Sequence, residues 1–125
     1  MTIGVAVVEH KGRFLVGIRP QGKPLAGYAE FPGGKCEAGE TPERCAAREC
    51  AEETGLAVRP VRLLERVTWD YPHGRVELHF WLCGLVGPDD NPRSPFRWTG
   101  REELATLRFP EANAGVKARL VDGES

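Results

Sequence analysis

An α/β domain built on a mixed sheet is the fold class this sequence predicts, and three observations predict it. Segments rich in β-branched residues recur along the 125-residue chain, one strongly capped helix interrupts them, and two shorter helical patterns close the sequence. The length suits a single domain spanning residues 1–125 with a substantial core.

Thr2 to Val8 is apolar at both alternations, which predicts a strand buried on both faces. His10 to Arg13 is a turn signal, and Phe14 to Ile18 reads as the antiparallel partner of the first strand. Arg19 to Tyr28 carries two prolines and two glycines; its length and polarity suit a flap over a site or an idle surface loop. Glu30-Phe31 is a strand end before the loop Pro32-Gly33-Gly34. A helix then spans Pro42 to Thr54, with Thr41 as N-cap, Pro42 at the first helical position and Gly55 as C′ residue. Val58 to Trp69 and Arg75 to Val86 form a hairpin turned at Tyr71 to Gly74. In its second strand Val76, Leu78, Phe80 and Leu82 alternate with Glu77, His79, Trp81 and Cys83. After a loop from Gly87 to Pro95, Phe96 to Trp98 is a short strand. Thr99 and Glu102 make a capping box for a helix through Leu107, and Pro110 to Val121 is a final helix.

Composition excludes several functions. The chain is 41% hydrophobic and 28% charged with net charge −1, and its Lys and Arg are scattered. A binder of nucleic-acid polymer needs a basic stripe, whereas a small nucleotide needs only one or two well-placed cations. No run approaches the roughly 20 apolar residues of a membrane span. Cys36, Cys45, Cys50 and Cys83 form no C-x-x-C pair, so they read as reduced packing residues rather than zinc ligands or disulfides. With no apolar leader, a cytoplasmic location is expected, as a monomer or a homodimer.

The chemistry concentrates between Gly34 and Leu56. Glu49, Glu52 and Glu53 fall within roughly 100° of arc on the helix, opposite the small residues Ala46, Ala47, Cys50 and Ala51. Like charges at this spacing repel, and Arg48 or a divalent cation relieves them; hard cations take carboxylate and phosphate oxygens. Gly33 and Gly34 permit close approach of backbone to ligand, Lys35 adds a cation for phosphate, and Glu40 stands just before the helix.

The order Gly34, five residues, Glu40, seven residues, Arg48-Glu49, an apolar residue, one residue, Glu52-Glu53, one residue, Gly55 and an apolar residue resembles the Nudix box. Seven such residues would coincide by chance on the order of once in 10⁸ windows. Cys50 stands where the family usually has a bulkier aliphatic side chain. The resemblance implies the Nudix fold, a mixed sheet between helices, and hydrolysis of a nucleoside diphosphate linked to another group. It implies Mg²⁺ or Mn²⁺ held by Glu49, Glu52, Glu53 and the carbonyl of Gly33. Either Glu49 or Glu40 would act as or position the base for water, with Arg48 orienting that carboxylate. A second resemblance, in Glu30 to Lys35 and in Phe109-Pro110-x-Ala112-Asn113, is to MutT-type enzymes that remove 8-oxo-dGTP. It assigns base recognition to Asn113, with Arg19 and Phe31 holding the nucleotide and Tyr71 as a candidate aromatic neighbour. CTP, dCTP, a nucleotide sugar or a dinucleoside polyphosphate is the alternative substrate, and a non-catalytic nucleotide-binding module is a further reading. Arg97 stands where MutT-like proteins can carry a glutamate ligand, leaving Glu102 or Glu103 as the nearest acids in sequence.

Overall fold

The computed structural model describes residues 1–123; Glu124 and Ser125, the end of the expected domain, lie outside the described residues. In chain order the elements are β1 (Thr2–His10), β2 (Arg13–Ile18), β3 (Ala29–Glu30), β4 (Gly33–Lys35), α1 (Pro42–Thr54), β5 (Val58–Tyr71), β6 (Gly74–Leu85), β7 (Phe96–Gly100), α2 (Arg101–Thr106), a 3₁₀ turn (Glu111–Asn113) and α3 (Ala114–Val121). Among the described residues the seven strands form one mixed sheet.

The apolar alternation of β1 puts it at the centre. Val5 and Val7 enter one core, shared with Phe80, Leu104, Val116 and Leu120, while Ala6 and Val8 enter the other with Ala46, Cys50 and Cys83. Thus α1 covers one face of the sheet, and α2 and α3 cover the other, which is the sandwich the sequence predicts. On β6 the expected alternation holds, with Val76, Leu78 and Phe80 facing the α2–α3 side and Cys83 facing α1.

Helix α1 has the predicted bounds because its signals are local. Thr41 Oγ1 accepts from the Arg44 amide, and Gly55 takes the left-handed φ of 79° while its N–H closes on Ala51. The buried Thr54 hydroxyl donates to the Cys50 carbonyl at 2.7 Å and accepts from the Leu56 amide at 3.1 Å. Gly4 sets how closely the helix lies: a Cβ there would stand 2.6 Å from the Pro42 carbonyl oxygen and 2.8 Å from the Ala46 nitrogen.

The expected antiparallel partnership of β1 and β2 is present but short, and three other expectations are corrected. The first strand pairs antiparallel with β2 only at Glu9 and His10; otherwise its edges are taken by β6 in parallel and by β4 at Ile3, Gly4 and Val5. The segment Gly33–Lys35 is therefore a strand and not a free loop. Thr99 does not cap α2: it lies in β7 opposite Phe14 with its side chain fully buried, and Gly100 occupies the cap position without a side-chain bond. The final helix is shorter than Pro110 to Val121. Pro110 is extended at ψ 151°, a 3₁₀ turn follows, and α3 starts at Ala114.

Candidate active site

Arg48 organises the carboxylates of α1. Its Nε donates to Glu40 Oε2 at 2.7 Å and its Nη2 to Glu40 Oε1 at 2.9 Å, a two-pronged pairing. Its Nη1 reaches Glu49 at 3.0 Å and Glu52 at 2.9 Å, and Nη2 also donates to the Lys35 carbonyl at 3.2 Å. One guanidinium thus fastens the turn before the helix, two helix carboxylates and the end of β4. The Arg48 partnership and the Glu37 amide hold the Glu40 carboxyl down at about 2.

The shared face predicted for Glu49, Glu52 and Glu53 exists, but its members differ in burial. Glu52 is exposed and Glu49 lies largely covered. Glu53 is turned toward the sheet, where its Oε1 accepts from the Gly33 amide at 3.3 Å. Burial first, then a hydrogen bond with Glu49, push the Glu53 carboxyl up to about 8, and the negative charge of Glu30 adds to the rise. Glu53 therefore retains its proton near neutral pH. Gly34 is required by the same packing, since a Cβ there would stand 2.4 Å from the Glu49 carboxylate. The neighbouring carboxylates of Glu49 and Glu53, beside the exposed Glu52, offer the hard oxygen ligands that suit a divalent cation.

Two hollows open nearby. One of about 320 Å³ is lined by Glu53, Glu30, Arg19, Lys23 and Phe96. Arg19 is tied back to Glu30 at 3.2 Å and to the Pro24 carbonyl at 2.7 Å. The other, of about 440 Å³, is walled by Tyr28, Trp69, Tyr71, Phe109 and Arg108, with Ala112 at its edge. The loop from Arg19 to Tyr28 contributes to both, which places it beside the site.

The predicted nucleotide-holding residues separate accordingly. Arg19 joins the Glu53 hollow, and Tyr71 joins the aromatic one, stacked on His73 at 5.6 Å. Phe31 is buried behind that wall, stacked on Phe109 at 4.9 Å. Asn113 follows Ala112 in the 3₁₀ turn, half-buried, and makes no side-chain cap bond to α3. Lys35 is exposed at the end of β4 and lines neither hollow.

Lys23, Glu30, Trp69, Tyr28 and Arg108 were not singled out from the sequence. For Arg108 and Tyr28 no local pattern signals the stacking, with the guanidinium 4.4 Å from the ring centroid, because it joins distant segments. Arg97 does not reach the acidic cluster; it pairs with Glu103 at 2.6 Å, so that carboxylate is already engaged.

Comparisons with known proteins agree with this architecture. A family model described as the NUDIX domain matches residues 4–119. The 8-oxo-dGTP diphosphatase of Escherichia coli is 32% identical over 123 residues, covering 96% of this chain and 95% of that one. The NAD-capped RNA hydrolase NudC of Photobacterium profundum is 30% identical over 124 residues, but these cover only 44% of its length. A solved MutT structure, from work on Aliivibrio salmonicida and Vibrio cholerae, superposes with a TM-score of 0.70 at 28% identity, covering 98% of both chains.

Proposed function

This chain belongs to the Nudix family, and from that premise we propose that residues 1–125 form a single Mg²⁺-dependent pyrophosphohydrolase domain acting on 8-oxo-dGTP. The products are the nucleoside monophosphate and pyrophosphate, and the role is to clear oxidised nucleotide before it enters DNA. The observation that carries the reading is the Arg48 clamp, which holds Glu40, Glu49 and Glu52 beside the half-buried Glu53. Likeness to the E. coli diphosphatase along almost its whole length supports the choice of substrate.

In this reading Glu49, Glu52, Glu53 and the Gly33 carbonyl hold the cation. When bound, Mg²⁺ polarises a phosphoryl oxygen and makes water a better nucleophile. The protein's own part is to place charge. Arg19 and Lys23 face the Glu53 hollow, where they attract the phosphate chain; Lys35 and the Gly34 backbone serve the same chain from β4. Glu49 stands in the cradle left by Gly34 and positions the attacking water as base. Glu40, held ionised by Arg48, serves chiefly to orient the guanidinium that fixes Glu49. The aromatic hollow takes the base by stacking, with Tyr71 in its wall, Phe31 supporting Phe109, and the Asn113 amide offering a donor and an acceptor to the purine edge.

The test is a nucleotide panel with Mg²⁺ in ¹⁸O water, following pyrophosphate release and label position. The proposal expects 8-oxo-dGTP to be preferred, Asn113→Ala to weaken that substrate selectively, and Glu52→Gln combined with Glu53→Gln to abolish turnover. Preference for CTP, dCTP, a nucleotide sugar or a dinucleoside polyphosphate would reject the oxidised-purine assignment. No hydrolysis of any member would leave a nucleotide-binding module as the reading.

A further inference from the structure

We infer that Cys36 and Cys45, which the sequence reads only as packing thiols, form with Glu40 a second cation site, of soft character. One ligand atom from each of the three residues lies within 4.8 Å of the other two. Three separate pieces of chain supply them: Cys36 follows β4, Glu40 ends the turn before the helix, and Cys45 lies in the first turns of α1. Each is held by its own backbone. The Cys36 amide donates to Thr2 at 2.9 Å, the Glu40 amide to Glu37 at 3.0 Å, and the Cys45 amide to Thr41 at 2.9 Å.

The donor set chooses the ion. Two thiolates and one carboxylate oxygen match the ligands of zinc and its thiophilic relatives, with bonds of about 2.3 Å to sulfur and about 2.0–2.2 Å to oxygen. A tetrahedral centre with those bonds separates its ligands by roughly 3.5–3.8 Å, so side-chain rotation suffices to close the group. Water completes the fourth position. Cys36 is only partly buried and Cys45 fully buried, so the ion enters from the Cys36 side. Binding replaces the two thiol protons, which leave to solvent, and breaks the Sγ–H bond that Cys45 makes to the Gly34 carbonyl at 3.3 Å. Magnesium does not compete, because it demands a near-octahedral shell of hard oxygen ligands, which two thiolates do not supply. Two neighbouring sites of opposite softness thus share Glu40, the first through Arg48 and the second directly.

Sharing has a consequence that rests on the proposed reaction. An ion bound to Glu40 competes for the carboxylate that fastens Arg48, and so loosens Glu49 and Glu52. Zinc at this site is an inhibitor and not a cofactor.

The test uses the full chain, stripped of metal and kept reduced with a phosphine, titrated with Cd²⁺ in excess Mg²⁺. A thiolate-to-metal charge-transfer band saturating at one equivalent is expected. Losing even an outer-shell partner costs about 10–100-fold in metal affinity, so Cys36→Ala should weaken Cd²⁺ binding by about tenfold or more and remove much of the band. Cys83→Ala, at a buried thiol on β6, should leave both unchanged. No band in the wild type, or an equal band in Cys36→Ala, overturns the site whatever the substrate proves to be. In the activity arm, Zn²⁺ added at saturating Mg²⁺ should slow hydrolysis, and Cys36→Ala should resist it; equal inhibition of both proteins overturns the inhibitory role.

Discussion

At the scale of the residue, Arg48 reconciles several negative charges within one cluster. Its planar fork makes two bonds to Glu40 and one each to Glu49 and Glu52, more than the donors of a single ammonium supply. Arg48→Lys should therefore fold normally yet lower kcat by about 10²-fold, the cost of misplacing a reacting group by about an ångström. Steady-state kinetics with a thermal melt check both halves, and full activity in the lysine variant would refute the clamp. Glu53 gives a pH prediction. In the metal-free protein its carboxyl holds a proton up to about 8, against 4.5 as its ordinary value. Between those values the unfolded chain binds fewer protons than the folded one, so stability falls as pH rises through that window. Glu53→Gln should flatten the fall, and Mg²⁺ should restore more stability above the window than below it. Denaturant midpoints across the range measure this; parallel curves for both proteins would contradict it. The spacing of the three glutamates revealed their common face, but not this gradient of burial. The gradient arises from β4 lying against the helix, which helical geometry alone does not contain.

At the scale of the element, α1 was legible to the residue because Thr41, Pro42 and Gly55 act on their own neighbours. Thr99 misled for the opposite reason. Its pattern with Glu102 is a valid cap, but tertiary packing turns the side chain into the core beside β2, and a buried position outweighs a cap bond at the surface. Helix position depends on Gly4. A methyl group there meets backbone atoms of α1 at 2.6 and 2.8 Å, and backbone cannot rotate away. Gly4→Ala should cost about 1–3 kcal/mol, as overpacked sites do, and lower turnover by lifting the glutamates from β4. A denaturant midpoint equal to the wild type would show that the helix can move freely.

At the scale of the molecule, the sandwich was legible from the alternation of β1 and β6, since each apolar face needs its own cover. The connectivity was not. The expected pairing of β1 with β2 is present but short, and β1 pairs through most of its length with β6, far along the chain. The aromatic hollow was hidden for the same reason, because the loop near Tyr28, the end of β5 and the segment after α2 meet only in three dimensions. No helix among the described residues is long and apolar enough to cross a membrane.

The parallel pairing of β1 with β6 also dictates an order of events during synthesis. Residues 1–56 contain the whole carboxylate helix and β4, yet β1 has one edge without a neighbour until residues 77–83 have emerged. Contacts so distant in sequence form slowly, because loop closure must precede any gain. The nascent first half is therefore an open-edged sheet fragment, exposed to pairing with other chains until the hairpin arrives. Pulse-labelled hydrogen exchange during refolding should show α1 amides gaining protection together with those of β6. Protection of α1 well ahead of β6 would mean that the chemical half of this protein can stand without the half that shields it.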